Sequence, residues 1–246
     1  MLGMNPGGTV QIDAAAIARR ILVTVLWIQV GIMVANLVFN FFDVTGHISI
    51  RRIFNVAREE SLPTWFASLQ ALLVSVTAWA VWRLESARGW LFVSLFFLYV
   101  SIDDAAAVHE RIATALSETF PTLPFLENYP SFSWHLIVAP FLAAGLLAVA
   151  VYQWRRIPTR RTLLLVGAGL AAFAISQSFD VLEGVDGLFD GWAEDLGVAE
   201  YTVGHGFRAT EEWLEMLGTT ALWAPMLLLL GDSVDLRVGR RSDAAD

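Results

Sequence analysis

The chain of 246 residues is 56% hydrophobic, and its mean hydropathy of +0.57 excludes an ordinary soluble domain. Its formal net charge is −8 and no segment forms a basic face, which argues against nucleic acid as a partner. The absence of cysteine excludes disulfides, thiolate metal ligands and cysteine nucleophiles. These properties predict a single transmembrane domain over residues 1–246.

Six apolar stretches follow one another along the chain, and each approaches the roughly 20 residues that a helix needs to cross a bilayer. Charged residues, proline or glycine bound each stretch. They predict an all-α, polytopic membrane bundle of about six transmembrane helices. The stretches are residues 20–42, 62–83, 89–110, 134–154, 161–183 and 211–230.

The arginines predict the orientation of the bundle. All 16 basic residues are arginine, and most of them flank the stretches on the side where both termini lie. The positive-inside rule therefore places both termini in the cytoplasm of a multi-pass protein of the cell membrane. Membrane lipid is the expected surrounding partner, whereas the oligomeric state stays open.

The connections on the outer side are long and differ in pattern. Ile50, Ile53 and Phe54 recur at helical spacing, which predicts a short helix on the outer interface. Three prolines predict a loop over residues 112–133, and glycines among acidic residues predict a turn-rich segment over 184–207.

A layer of carboxylates lies near the outer ends of the stretches. From the helical rise, Asp103, Asp180 and Glu215 lie about 20–28 Å from the cytoplasmic ends of their helices, within the outer leaflet. Charge inside hydrocarbon is costly and normally faces the interior of a bundle. The three residues therefore predict a functional site.

Further polar residues lie within one or two turns of these carboxylates. Helical spacing places Asp103 and Glu110 on one stripe, with His109 beside it. The candidate catalytic groups are Asp103, His109, Glu110, Asp180 and Glu215. The candidate metal ligands are Asp103, His109, Glu110, Asp180, Glu183, Glu212 and Glu215.

Several carboxylates at one depth repel one another unless a cation or shared protons lie among them. A divalent metal ion is the simplest solution, because helical bundles hold metals with carboxylates and nearby histidines. Zn, Mn, Fe and Ca all suit such ligands. Asn36, Gln70 and Gln177 are expected to orient the ligands.

Several of these residues and their neighbours also have a structural interpretation. Glu211 and Glu212 follow Thr210 at the expected start of the last helix, where acidic residues complement the macrodipole. Glu183 reads equally as a solvated helix end, and His205 as a surface residue of the acidic segment.

Two segments resemble those of an uncharacterised family of prokaryotic multi-spanning proteins. In that family an Asp-Glu-x4-His-Glu segment precedes a Glu-Glu-x-Leu-Glu-Met-x-Gly segment. Here the segments read Asp103-Asp104-x4-His109-Glu110 and Glu211-Glu212-x-x-Glu215-Met216-x-Gly218, with Asp104 where Glu is usual. The resemblance implies that these positions matter but names no reaction. Alkaline ceramidases, which combine Ser, Asp and three His around zinc, are a distant analogy, since their His-x-x-x-His segment is missing here.

Three classes of function fit these observations. The first is a metal-dependent enzyme that acts on a lipid or another apolar substrate. The second is a cation or proton transporter that uses the same acidic layer, although the inner half of the bundle offers few polar residues to line a path. The third is an accessory membrane protein in which the layer only specifies helix packing.

Overall fold

The computed structural model describes residues 3–4, 9–119, 138–183, 188–234 and 236–239. Within these ranges the chain forms a helical bundle with a small sheet at its termini, which confirms the all-α prediction for the bundle itself. The helices are α1 (Ala14–Asn36), which continues as a π-helical turn over Leu37–Phe41, α2 (Ile48–Phe54), α3 (Leu62–Glu85), α4 (Arg88–Ala106), α5 (Val108–Thr119), α6 (Ala139–Arg156), α7 (Arg160–Glu183), α8 (Leu188–Leu196) and α9 (Glu200–Ser233). The strands are β1 (Gly3–Met4), β2 (Thr9–Ile12) and β3 (Leu236–Gly239).

The small sheet joins the two ends of the chain. Strand β2 pairs antiparallel with both β1 and β3, and Ile12 lies opposite Leu236 in the register of the second pair. Because β2 leads directly into α1 and β3 follows α9, both terminal segments lie at one end of the bundle.

Five of the described helical segments are long and apolar enough to cross a membrane by length and composition. These segments are Ala14–Phe41, Leu62–Glu85, Arg88–Ala106, Arg160–Leu182 and Tyr201–Ser233. The predicted stretch 134–154 forms α6, whose 18 residues end on Arg155 and Arg156, and residues 134–137 lie outside the described ranges. A membrane protein is therefore confirmed, and the count of six spans stays a prediction.

Local sequence explains where the long helices begin and end. The Asp13 side chain accepts the N–H of Ala16 at 2.9 Å and caps α1. Ser61 caps α3, and Pro63 occupies its first turn, where no N–H is needed. The helix ends at Ser86, whose left-handed conformation directs the chain into α4.

A buried polar network fastens α1, α3 and α9 together in the middle of the bundle. The Gln29 amide donates to Gln70 Oε1 at 3.2 Å and to Thr220 Oγ1 at 2.8 Å. The Gln70 amide in turn donates to Thr220 Oγ1 and to the Met216 carbonyl. Such bonds stabilise helix contacts in lipid, where burial of apolar surface alone drives little association.

Three predicted boundaries are wrong. The stretch 89–110 is not one helix, because α4 ends at Ala106 and α5 begins at Val108. The predicted loop 112–133 is helical as far as Thr119, and residues 120–133 lie outside the described ranges. The last helix begins at Glu200 instead of residue 211.

The acidic segment 184–207 is also not a loop where the structure describes it. It contains α8 and the first turns of α9. His205 is consequently a helical residue and buried, not a surface residue. Its Nε2 lies 3.1 Å from Asn36 Oδ1, and this contact joins α9 to α1. The short helix expected around Ile50 is confirmed as α2.

Candidate functional site

A cavity of about 750 Å³ opens among α4, α5, α6, α7 and α9, at the end of the bundle away from the terminal sheet. Its wall has two chemically distinct halves. The polar half contains eight carboxylates, one histidine and two arginines: Glu59, Asp103, Asp104, Glu110, Asp180, Glu211, Glu212, Glu215, His109, Arg58 and Arg208. The apolar half includes Phe96, Phe97, Val100, Leu142, Leu146, Leu170 and Phe173. This excess of negative charge favours a cation in the polar half.

Asp103 and His109 form a close pair in the wall of the cavity. Asp103 Oδ2 lies 2.8 Å from His109 Nδ1, and its Oδ1 accepts the backbone N–H of His109 at 2.8 Å. A break between two helices makes this contact possible. Ala107 adopts a left-handed conformation with φ of 46°, which folds the chain so that His109 returns to Asp103. The predicted continuous stripe from Asp103 to Glu110 is therefore wrong.

The pair fixes both the orientation and the basicity of the imidazole. With the proton of a neutral ring on Nδ1 facing Asp103, Nε2 is the basic nitrogen. Burial by itself lowers the pKa of His109, but the hydrogen bond and the negative charge of Asp103 outweigh it, so this pKa lies above its usual value of 6.5.

Glu215 is held by the neighbouring helix α7. Its Oε1 accepts the Ser176 hydroxyl at 2.9 Å and the Gln177 amide at 3.2 Å. Both donors bind the same carboxylate oxygen, and Glu215 lines the cavity. His109 and Asp180 lie near enough for their charges to act on Glu215. The predicted orienting role of Gln177 thus has a geometric basis, whereas Asn36 and Gln70 bond elsewhere.

Glu211 and Glu212 lie inside α9 and not at its start. The helix begins at Glu200, and the Thr210 hydroxyl donates to the Gly206 carbonyl at 2.8 Å in place of a cap. The interpretation of the two glutamates as first-turn residues is therefore wrong. Both line the cavity, together with Arg208 one turn earlier.

Glu110 and Glu59, which precedes α3, both line the cavity. Burial and then the interaction with Glu59 raise the pKa of Glu110 above its usual value of 4.5.

Gly218 allows α7 and α9 to approach closely beside the site. A Cβ at this position would lie 2.9 Å from the ring of Phe173 and 3.2 Å from the Gly169 carbonyl oxygen. The glycine that closes the Glu-Glu-x-x-Glu-Met-x-Gly segment therefore seats Phe173 in the cavity wall, one turn from Glu215.

Six of the seven candidate metal ligands line the cavity: Asp103, His109, Glu110, Asp180, Glu212 and Glu215. The seventh, Glu183, ends α7, and its side chain lies outside the described part of the structure. Within the described ranges, no three His, Asp or Glu side chains come close enough together to hold a metal ion by themselves.

Sequence reasoning missed two kinds of residue in this site. Arg58 and Glu59 belong to the connection before α3, and only the tertiary fold brings them to the mouth. The apolar half was not predicted either, because Phe96 and Phe173 resemble any lipid-facing residue of a membrane helix. For Phe173 the sequence did contain one indication, which is Gly218. A small residue next to a carboxylate motif leaves room for a bulky side chain from a neighbouring helix.

The fold and the cavity define a helical membrane protein with an acidic and histidine-containing cavity near one end of its bundle. The chain belongs to a family described as a domain of unknown function, DUF8692, which it matches over residues 20–230. No curated protein and no solved structure matches the chain.

Proposed function

We propose that the protein is a membrane-embedded enzyme that acts on an amphipathic substrate with the help of a divalent cation. The observation that carries this proposal is the cavity with two halves, in which an oriented His109 and a held Glu215 share the polar half. An apolar group of the substrate would occupy the other half.

The ligand set favours a hard ion that keeps several water molecules. Mg²⁺ is usually held by one or two carboxylates together with water and substrate oxygens, so it does not need three converging protein ligands. Glu215 would hold the ion together with water and substrate oxygens, because partners that orient a ligand are typical of metal sites. Ser176 and Gln177 orient Glu215 in this way.

The reaction class that suits these groups is hydrolysis. A bound ion would polarise a substrate oxygen or lower the pKa of a water molecule. His109 lies where an imidazole backed by Asp103 can accept a proton and return it to a leaving group. Phe96, Phe97 and Phe173 would keep bulk water from the apolar end of the substrate.

The inner end of the cavity argues for an enzyme over a transporter. Phe96, Leu146 and Leu170 line the deepest part, and beneath them Trp90, Val149 and other apolar side chains pack without exposure. The buried polar side chains described at that level, such as Ser94 and Gln153, carry no charge, so they offer a cation no counter-charge on its way inward.

We infer six crossings with both termini in the cytoplasm. The pairing of β2 with β3 supports this, since termini at one end of a bundle require an even number of crossings. Five helices have the length and composition of spans, and α6 would supply the sixth. The cavity would then open to the outer face.

The test is Mn²⁺ binding to detergent-purified protein, measured by calorimetry and by electron paramagnetic resonance. We expect saturable binding that Glu215→Gln abolishes and that Ser176→Ala weakens by about 10- to 100-fold. Glu194→Gln, on the exposed surface of α8, is the matched control and should bind Mn²⁺ like the native chain. Full affinity in Glu215→Gln, with unchanged helix content, would reject the ion site. Cation flux through proteoliposomes that Glu215→Gln abolishes would favour transport instead.

A further inference from the structure

We propose that the apolar half of the cavity binds a single hydrocarbon chain of the substrate and that Phe96 fixes the longest chain it accepts. The inference rests on the proposed function, because it names the substrate class of the same cavity: a single-chain amphiphile with its head among the carboxylates.

The apolar half extends inward from the carboxylate layer. On α4, Phe96 lies seven residues before Asp103, and on α7, Leu170 lies seven residues before Gln177. At the helical rise each interval corresponds to about 10 Å of depth. The apolar half is therefore a slot between α4, α6 and α7 that runs along the bundle axis. A hydrocarbon chain whose head is bound among the carboxylates would extend in the same direction.

The volume of the cavity limits what it can hold. Sites of about 300–1000 Å³ enclose one small molecule, and the 750 Å³ here is shared between the polar and apolar halves. One chain below one head fits this division, whereas a lipid with two long chains would have to leave one of them outside.

Phe96 closes the slot because its ring is held on three sides. Phe97 packs edge-on at a centroid distance of 5.5 Å, and Phe92 stacks at 6.3 Å. On α6, Gly145 gives the ring its space, since a Cβ there would overlap the Phe96 ring. A chain that grows past this ring would have to displace it from all three neighbours.

The test measures binding of alkyltrimethylammonium probes of graded chain length to protein in lipid nanodiscs, with partitioning into empty nanodiscs subtracted. Each added methylene should raise affinity about fourfold until the chain reaches Phe96, and longer probes should gain nothing. Phe96→Ala should move this limit to longer chains, and Gly145→Ala, which pushes the ring into the slot, should move it to shorter ones. Phe141→Ala, whose side chain is 78% exposed on α6, is the matched control and should leave the limit unchanged.

An identical length limit in Phe96→Ala and the native chain would overturn the inference, and so would affinity that rises with length without a limit. Repeating the series in EDTA separates it from the proposed function. Chain binding with a limit but no Mn²⁺ binding would remove the ion and keep the chain slot. Mn²⁺ binding without a length limit would keep the ion site and overturn the chain slot.

Discussion

Ala107 and Asp103 together decide where His109 lies. A non-glycine residue in the left-handed region costs about 1–2 kcal/mol, and Ala107 adopts that conformation between two helices. Asp103 offsets this cost by accepting both the backbone N–H and the ring N–H of His109. The strain and the hydrogen bonds thus belong to one arrangement that directs the imidazole into the cavity.

The raised pKa of His109 makes this arrangement sensitive to pH. A group whose pKa is higher in the folded state stabilises the fold below its ordinary value, here 6.5, and that stabilisation is lost as pH rises through the raised value. Without metal, thermal unfolding in detergent should therefore show Asp103→Asn destabilised by about 1–3 kcal/mol at acidic pH. This loss in the free energy of unfolding should become smaller at pH values above the pKa of His109.

The control for this pH series is Glu194→Gln, which lies on exposed α8 and should differ little from the native chain at any pH. A deficit in Asp103→Asn that stays constant from acidic to alkaline pH would mean that the charged imidazole contributes nothing to the fold.

At the scale of elements, the contact between α7 and α9 positions half of the polar wall. Gly169 and Gly218 face each other where these helices cross, and each would place a Cβ against the partner helix. Glu215 lies one turn from this crossing and takes its hydrogen bonds from α7. A small change in helix separation would therefore lengthen the bonds from Ser176 and Gln177.

Gly218→Ala should destabilise the protein by about 1–3 kcal/mol through overpacking and should also weaken Mn²⁺ binding. Gly167→Ala is the matched control on α7, because no atom lies within 4 Å of its Cβ position, and it should be neutral or slightly stabilising. Differential scanning fluorimetry in detergent measures both. Equal melting temperatures for the two variants would show that α7 and α9 tolerate a wider separation.

At the scale of the whole molecule, the terminal sheet and the cavity lie at opposite ends of the bundle. The sheet ties β2 to β3, whereas the connection that carries Arg58 and Glu59 covers the far end. The cavity and the two termini therefore mark opposite ends of the bundle.

The absence of cysteine allows a direct test of this sidedness. In intact cells, Glu60→Cys should react with a membrane-impermeant maleimide, since the Glu60 side chain is 89% exposed at the cavity end. Ser233→Cys, at the end of α9 next to the sheet, should react only after the cells are opened. Labelling of Ser233→Cys and not of Glu60→Cys in intact cells would reverse the orientation, and labelling of both would contradict an impermeable barrier between them.

The sequence by itself determined the class of protein and the acidic layer, because hydropathy over about 20 residues and the cost of buried charge are local properties. The sequence also identified Asp103, His109 and Glu215 as candidate residues. It placed Asp103 and His109 on one continuous helix, however, whereas the chain breaks between α4 and α5 at Ala107. Only the tertiary structure decided the break at Ala107, the early start of α9 and the apolar half of the cavity. These depend on contacts between residues far apart in the chain, such as Phe96 with Gly145 and Glu215 with Ser176, and no periodicity within one helix reports which neighbour it will meet.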